Sequence, residues 1–285
     1  MRADLYQARD PTVSGNRGYR LLLSLRLHEV LPGKPAVVGV VPAACVEVCL
    51  LAAPGGGVKL IFASPTYGPI DPKAVVSQRN AIMHAAANGV TWLGDASPDR
   101  MGWDGARNAV VESVLKAETE EVEDKINADA IFWCDSDIIL PAHAVTSLVL
   151  AGKEFVTGLY FQRKPPFPPQ IYIYDARGGK DGKGTFRGLV QWPDNVVAPI
   201  DAAGFGCILT SVAMLRKIAP PHFDWKRFGE DFTFCLNAKE AGYQLYVHTG
   251  VLCGHLADPV PVTIDTFREA WKDWKMSPVE GSIAV

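Results

Sequence analysis

The sequence predicts an α/β fold: a mixed, mostly parallel sheet flanked by helices, preceded by a β-rich N-terminal extension. Three observations predict it. Short apolar runs bounded by turn residues recur at 59–63, 130–134 and 155–161, as in strands buried on both faces. Amphipathic segments of helical period stand between and after them, at 72–87, 106–122 and 142–151. The run Ala130-Ile-Phe-Trp-Cys134 stops at three polar residues, Asp135-Ser136-Asp137, before a second apolar run, Ile138 to Leu140, ends at Pro141. In open α/β sheets ligands sit outside the carboxyl ends of the strands, so both aspartates are expected in that crevice.

With 285 residues the chain can bury a core of ordinary size in one large or two smaller domains. The expected division is an extension at 1–58, a main domain at 59–256, and a loop and helix at 257–285. A formal net charge of −3 leaves no electrostatic footprint for nucleic acid or an acidic membrane. Six scattered cysteines show no zinc spacing and read as buried, reduced thiols, which favours the cytoplasm. Ala36 to Ala53 is largely apolar, but Pro42 and Glu47 interrupt it. A span needs about 20 apolar residues, so no stable membrane insertion is expected. Met1 to Arg20 is polar and lacks the apolar stretch of a secretory signal.

In chain order, 1–18 reads as a loose arm. Arg20 to Val30 alternates as a strand with one wet face, and Val37 to Val41 and Val46 to Leu51 are further strand candidates. Lys59 to Ala63 is a strand running into Ser64-Pro65-Thr66-Tyr67-Gly68. Such a loop after a first strand is placed to contact a nucleotide base and ribose, although a plain turn reads the same way. Pro72 to Ala87 is a helix stopped near Gly89. Thr91 to Gly94 is a short strand, with Asp95 at its end. The next helix, 106–122, carries Arg107 in its first turn, where the helix dipole disfavours a cation. Arg107 is therefore expected to face a bound anion or to pair with Asp95 or Asp135.

After the central strand, 142–151 is helical and 155–161 is a strand closed by Gln162-Arg163-Lys164-Pro-Pro-Phe-Pro-Pro169. Ile171 to Tyr174 is a strand, 175–188 a Gly- and Lys-rich loop, and 191–200 an edge strand. Gly204 and Gly206 permit close backbone approach to a ligand. The apolar run 207–215 starts a helix. Gly229-Glu230-Asp231 opens another, where acids are also expected on dipole grounds alone. Short strands follow at 244–247 and 251–253, and His255 stands at a corner. Thr263 to Lys275 is an amphipathic helix.

Residues two apart in extended chain point the same way, so Asp135 and Asp137 offer two carboxylates to one cation. Such oxygen ligands suit Mg2+ or Mn2+, which in turn hold phosphates.

The order of these parts resembles a glycosyltransferase of the GT-A fold over roughly 59–256. It is especially similar to small bacterial and bacteriophage nucleotide-sugar transferases. The resemblance rests on Ser64-Pro65-Thr66-Tyr67, Arg107-Asn108, the Asp135-Ser136-Asp137 triplet (the family's DxD motif), Gly204-Phe205-Gly206-Cys207, Gly229-Glu230-Asp231 and Gly254-His255. It implies a nucleotide-diphosphate sugar donor, with a UDP-sugar the leading choice, bound by Pro65, Thr66, Tyr67, Asp95, Arg107, Asp135, Ser136, Gly204 and Gly206. It implies Mn2+ or Mg2+ held by Asp135, Asp137 and His255. It places Asp231, with Glu230 as substitute, as the base toward an acceptor hydroxyl. If His255 binds the metal, 256–266, with Pro259, Pro261 and no apolar period, is expected to be a lid loop anchored by the last helix. Residues 1–58 have no counterpart in that family.

Two other classes remain open. A nucleotidyltransferase also pairs carboxylates with a metal on an α/β sheet, but would carry a glycine-rich loop after its first strand. A non-catalytic nucleotide-sugar-binding module could use the same fold, because fold does not license function. The acceptor is open among a modified base in phage DNA, a cell-wall polymer, a lipid and a protein. Asp231 as base implies inversion, whereas relatives with a late metal-binding histidine include retaining enzymes.

Overall fold

A computed structural model describes residues 57–117, 127–178, 184–225, 228–257 and 260–273. The arm and strands expected within 1–51, and the end of the last helix beyond 273, lie outside these residues.

In chain order the elements are β1 (Lys59–Ala63), α1 (Pro72–Ala87), β2 (Thr91–Ala96), α2 (Trp103–Ala117), β3 (Ala130–Cys134), β4 (Ile138–Ile139), α3 (Ala144–Leu150), β5 (Phe155–Leu159) and β6 (Ile171–Asp175). Then come β7 (Thr185–Gly188), β8 (Val197–Ile200), β9 (Ala202–Ala203), β10 (Cys207–Ser211), α4 (Val212–Lys217), α5 (Glu230–Glu240), β11 (Leu245–Leu252), β12 (Gly254–His255) and α6 (Ile264–Trp271). The main sheet has seven strands in the order β2-β1-β3-β10-β5-β11-β8. Pairs β1–β2, β1–β3 and β5–β11 are parallel, while β10 and β8 run against their neighbours. Five of the seven strands thus share a direction, and the sheet is mixed and mostly parallel as expected.

The adjacent strands β1 and β3 are covered on both faces because Leu60–Ala63 and Ala130–Cys134 are apolar throughout. Leu60, Phe62, Phe132 and Cys134 pack with Ala81 and Ala85 of α1 and Leu148 of α3. Ile61, Ala63, Ile131 and Trp133 turn the other way, onto Val110 and Val114 of α2, Leu215 of α4 and Phe234 of α5. Trp133 satisfies its indole N–H within this core by donating to the Thr210 hydroxyl at 2.9 Å.

Four expectations change. The run 207–215 does not start as a helix: Cys207–Ser211 is a fully buried strand between β3 and β5, and the helix begins only after Ser211. A short apolar run has no period that separates the two states, but Ser211 marks the boundary by accepting from the Met214 amide at 3.0 Å. The loop 175–188 ends in a strand, β7, paired with β6. The two strands at 244–253 are one, β11, with a register irregularity where it meets β5. The segment 256–266 is not wholly loop, since His255 and Val262 exchange backbone hydrogen bonds at 2.9 and 2.8 Å; 258–259 lie outside the described residues. Phe267 of α6 stacks on Phe161 at 5.0 Å, and Trp271 donates to the Pro166 carbonyl at 2.5 Å. Among the described residues no helix is long and apolar enough to cross a membrane.

Candidate active site

The carboxyl ends of β1, β3 and β5 and the start of the reversed strand β10 meet at one edge of the sheet. Register brings this about: Ala63 pairs with Trp133, Cys134 with Cys207, and the Asp135 amide donates to the Gly206 carbonyl at 3.2 Å. Residues just beyond the strand ends therefore converge, although they come from distant parts of the chain.

One side of this edge is an ion network centred on Arg107, a buried arginine in α2. Its Nη2 donates to Asp135 Oδ1 at 3.1 Å, and its Nη1 donates to Glu230 Oε1 at 2.9 Å and lies 2.8 Å from Asp231 Oδ1. The guanidinium also sits over the Phe205 and Phe223 rings, 5.4 and 5.8 Å from their centroids. Burial would lower its pKa, but Asp231, Asp135 and Glu230 outweigh burial and raise it. Of the two partners expected for Arg107, Asp135 is the one found. Asp95 is exposed on the edge strand β2 and is not among Arg107's partners.

Glu230 and Asp231 open α5 after Gly229, whose φ of 99° lies in the region that favours glycine. Glu230 is buried against Arg107, whereas Asp231 keeps 21 % of its side chain exposed. Asp231 Oδ2 accepts from the Phe205 amide at 3.1 Å, while its buried Oδ1, although close to Arg107, accepts no aligned hydrogen bond. Burial pushes the Asp231 carboxyl up to about 7; Arg107 opposes this, and the charges of Glu230 and Asp135 add to it.

The other side holds Asp137 and His255. The chain from 135 to 137 is a turn, closed by the Ile138 amide on the Asp135 carbonyl at 3.1 Å. The alternation of an extended chain does not apply to a turn, so the two carboxylates take different partners. Asp137 Oδ2 lies 3.3 Å from His255 Nε2 and 2.9 Å from Arg163 Nη1. The short antiparallel pairing of β4 and β12 sets His255 opposite Ile138. His255 Nδ1 lies 2.7 Å from the Phe161 carbonyl, which can only accept, so Nδ1 carries the proton. Nε2 is thereby left to face the Asp137 carboxylate. Burial pushes the Asp137 carboxyl up, but His255 and Arg163 outweigh it and hold it below its ordinary value.

Asp137 and His255 supply a carboxylate oxygen and an imidazole nitrogen, donors that fit Mn2+ or Mg2+ when other oxygens complete the shell. The expected third ligand, Asp135, gives one oxygen, Oδ1, to Arg107. Among the described residues no three His, Cys, Asp or Glu side chains form a ready metal cage.

The remaining expected residues scatter more widely. Thr66 bonds within its own loop, donating to the Gly68 carbonyl at 2.7 Å, and the loop is tied to 98–100 through backbone bonds. Tyr67 is 74 % exposed; Pro65 and Ser136 are partly buried in the loops after β1 and β3. Gly204 and Gly206 are small for an internal reason. A Cβ at Gly204 would stand 2.3 Å from the Tyr160 hydroxyl oxygen, and one at Gly206 2.6 Å from the Tyr160 ring. The protein's own tyrosine, not a ligand, fills that space.

Tyr160 was not legible as a site residue. Its hydroxyl accepts from the Gly206 amide at 3.0 Å, and its ring meets His255 edge-on at 5.5 Å. Burial raises its pKa well above the ordinary value, and Asp135 and Asp231 add to the shift. The two closely spaced glycines were the available signal, since glycine also marks the approach of another side chain. Gln78, which donates to the Asp135 carbonyl at 3.2 Å, and Arg163, which pairs with Asp137, complete the set.

No family model and no curated protein sequence matches the chain. Among solved structures it is similar to A197 from STIV, at 17 % identity and a TM-score of 0.48, covering 73 % of this chain and 92 % of that one. It is also similar to GalNAc-T7 with UDP, GalNAc and Mn2+, at 9 % identity and a TM-score of 0.39, covering 78 % of this chain and 49 % of that one. A third is a Bacillus anthracis protein in complex with sucrose, described as a glucose-1-phosphate thymidylyltransferase. There the identity is 10 % and the TM-score 0.39, with 78 % and 98 % covered. Likenesses at these scores carry no weight for family or activity.

Proposed function

We propose that this chain is a metal-dependent glycosyltransferase of GT-A type. It moves a sugar from a nucleotide-diphosphate sugar, a UDP-sugar first among them, to an acceptor hydroxyl. The observation that carries the reading is the division of labour at one sheet edge. Asp137 and His255 bring a carboxylate oxygen and an imidazole nitrogen within 3.3 Å of each other, while Asp231, partly open and raised to about 7, stands poised to gain a proton. The motif order of the sequence supports the same reading.

The metal, Mn2+ or Mg2+, would be held by Asp137 and His255 and would supply Lewis-acid stabilisation of the diphosphate. Asp231 takes the acceptor's proton, for which a pKa near the working pH is suited. Arg107 holds Asp135, Glu230 and Asp231 in place. Both acids lie against Arg107, but Glu230 is 8 % exposed and Asp231 21 %, which favours Asp231 over Glu230 as the base. Pro65, Thr66, Tyr67 and Ser136 lie on loops beyond β1 and β3 and line the donor side. The acceptors allowed include a modified base in phage DNA, and the reaction is assigned to the cytoplasm.

The test is mass spectrometry of the full chain with a panel of UDP-sugars and candidate acceptors in the presence of Mn2+. A product heavier than its acceptor by one glycosyl unit is expected. Nucleotidyl transfer to a sugar phosphate, or turnover undiminished by excess chelator, would overturn the reading.

A further inference from the structure

We propose that Trp103 and Trp225 form an acceptor platform that takes the apolar face of a pyranose ring beside Asp231. This rests on the glycosyltransferase reading and deepens it by naming the acceptor's chemical class. The two indoles are 60 % and 56 % exposed, with ring centroids 6.4 Å apart and planes 29° from parallel. Both are attached to the candidate base network. Trp103 opens α2 one turn before Arg107, and residues four apart share a helix face. Trp225 rests against Gly229, where a Cβ would meet its ring at 3.7 Å, and Glu230 and Asp231 follow directly.

The pair is also built rather than incidental. The Asn108 side chain clips the loop before Trp225 to α2 from both sides. Its amide donates to the Phe223 carbonyl at 2.8 Å, and its carbonyl accepts from the Phe223 amide at 3.1 Å. His222 lies 2.9 Å from the Leu215 carbonyl, and Phe223 stacks on Phe234 at 4.7 Å. A loop pinned this firmly holds its neighbouring indole in the open. Two such large apolar faces in water are unfavourable unless something covers them.

The chemistry around them favours a neutral ring. Asp104 and Asp224 adjoin the two tryptophans, and nearby Arg100 is paired with Asp99 at 3.4 Å. Among the described residues no unpaired cation is shown beside the two indoles to hold a phosphate; Lys226 and Arg227 lie outside the described residues. A pyranose has apolar C–H faces and a hydroxyl rim, which suits a broad indole face. In the proposed complex a rim hydroxyl of the stacked ring meets Asp231. That hydroxyl gives its proton to Asp231, its oxygen bonds to the donor's anomeric carbon, and the bond from that carbon to the diphosphate breaks. The electron pair leaves with the nucleoside diphosphate.

The full chain, labelled at its indole nitrogens, would be titrated in NMR with methyl glycosides of glucose, galactose and N-acetylglucosamine. A short oligothymidine serves as the contrasting probe, and Trp103→Phe and Trp225→Phe assign the signals. Both indoles should shift with at least one glycoside. Affinity should fall on the order of tenfold in Trp103→Ala and Trp225→Ala, as for truncation of a tryptophan anchor. UDP binding with Mn2+ should not change. Both side chains are more than half exposed, so their truncation leaves no cavity. Silent indoles with all three glycosides, unchanged affinity in both alanine variants, or a response to the oligonucleotide in place of the glycosides would overturn the platform. Failure of the wild type to bind UDP with Mn2+ would instead overturn the donor reading, whatever the indoles do.

Discussion

Asp135 and Asp137 stand two residues apart, yet they belong to opposite kinds of site. Asp135 joins a network whose cation, Arg107, has 5 % of its side chain exposed and serves three carboxylates while lying over two aromatic rings. Asp137 shares one oxygen between Arg163, 55 % exposed, and His255, 14 % exposed. The first half is closed around a buried cation, although Asp135 itself is 35 % exposed. The second half is open at its cation, Arg163, with Asp137 30 % exposed. The two acids of the motif thus take different partners: the turn at 135–137 gives Asp135 to Arg107 and Asp137 to His255 and Arg163.

The comparison breaks first at Asp137. Asp137→Ala should abolish metal-dependent UDP binding and transfer with the fold intact, as read by calorimetry and circular dichroism, because a bound divalent ion is the largest local charge in such a site. Retained transfer would mean that the open half holds no essential metal.

Asp231→Asn tests the closed half. Transfer should fall roughly 10²- to 10⁴-fold with UDP–Mn2+ binding unchanged. If Glu230→Gln shows that loss and Asp231→Asn does not, the two acids exchange roles. With its pKa raised to about 7, Asp231 is protonated at lower pH, so kcat/KM should climb as pH rises through about 7. The stability effect has the opposite sign. Between the ordinary value of 3.8 and about 7 the folded state binds the extra proton, so stability falls as pH rises across that window. Denaturant titrations at several pH values should show this slope in the wild type and a flatter one in Asp231→Asn.

Arg107→Met asks whether the closed half is held by charge. Removing the shared cation strands three carboxylates, and breaking a buried pair costs about 3–5 kcal/mol. A loss below about 1 kcal/mol in urea unfolding would show that the carboxylates are hydrated rather than buried. Arg163→Gln should do least. An exposed ion pair contributes about 0–1 kcal/mol, so stability should hold within that margin and Mn2+-dependent UDP binding should persist. Loss of that binding would make Arg163, not a metal, the charge that Asp137 serves.

Much of the fold was legible because its signals are local. The strands at 59–63 and 130–134, and the helix at 72–87, have the bounds expected from apolar runs and their punctuation. Local signals failed where two structures share one composition. The run 207–211 could be helix or strand, and only its place between β3 and β5 made it a strand. Arg107 was legible through its mismatch with the helix dipole, and its pairing with Asp135 is as expected.

The chain's residue order alone carried the α/β class, the position of the acids at a sheet edge, and the glycine before Glu230 and Asp231. These follow from period, turn chemistry and backbone sterics, which act over a few residues. Tertiary structure alone separated Asp135 from Asp137, placed Tyr160 against Gly204 and Gly206, brought Arg163 and His255 to one carboxylate, and raised Asp231. Each depends on groups from distant parts of the chain meeting in a medium that screens charge poorly. Burial and charge at such a meeting point are properties of the assembled site, because desolvation and Coulomb interactions depend on distance in space and not on separation along the chain.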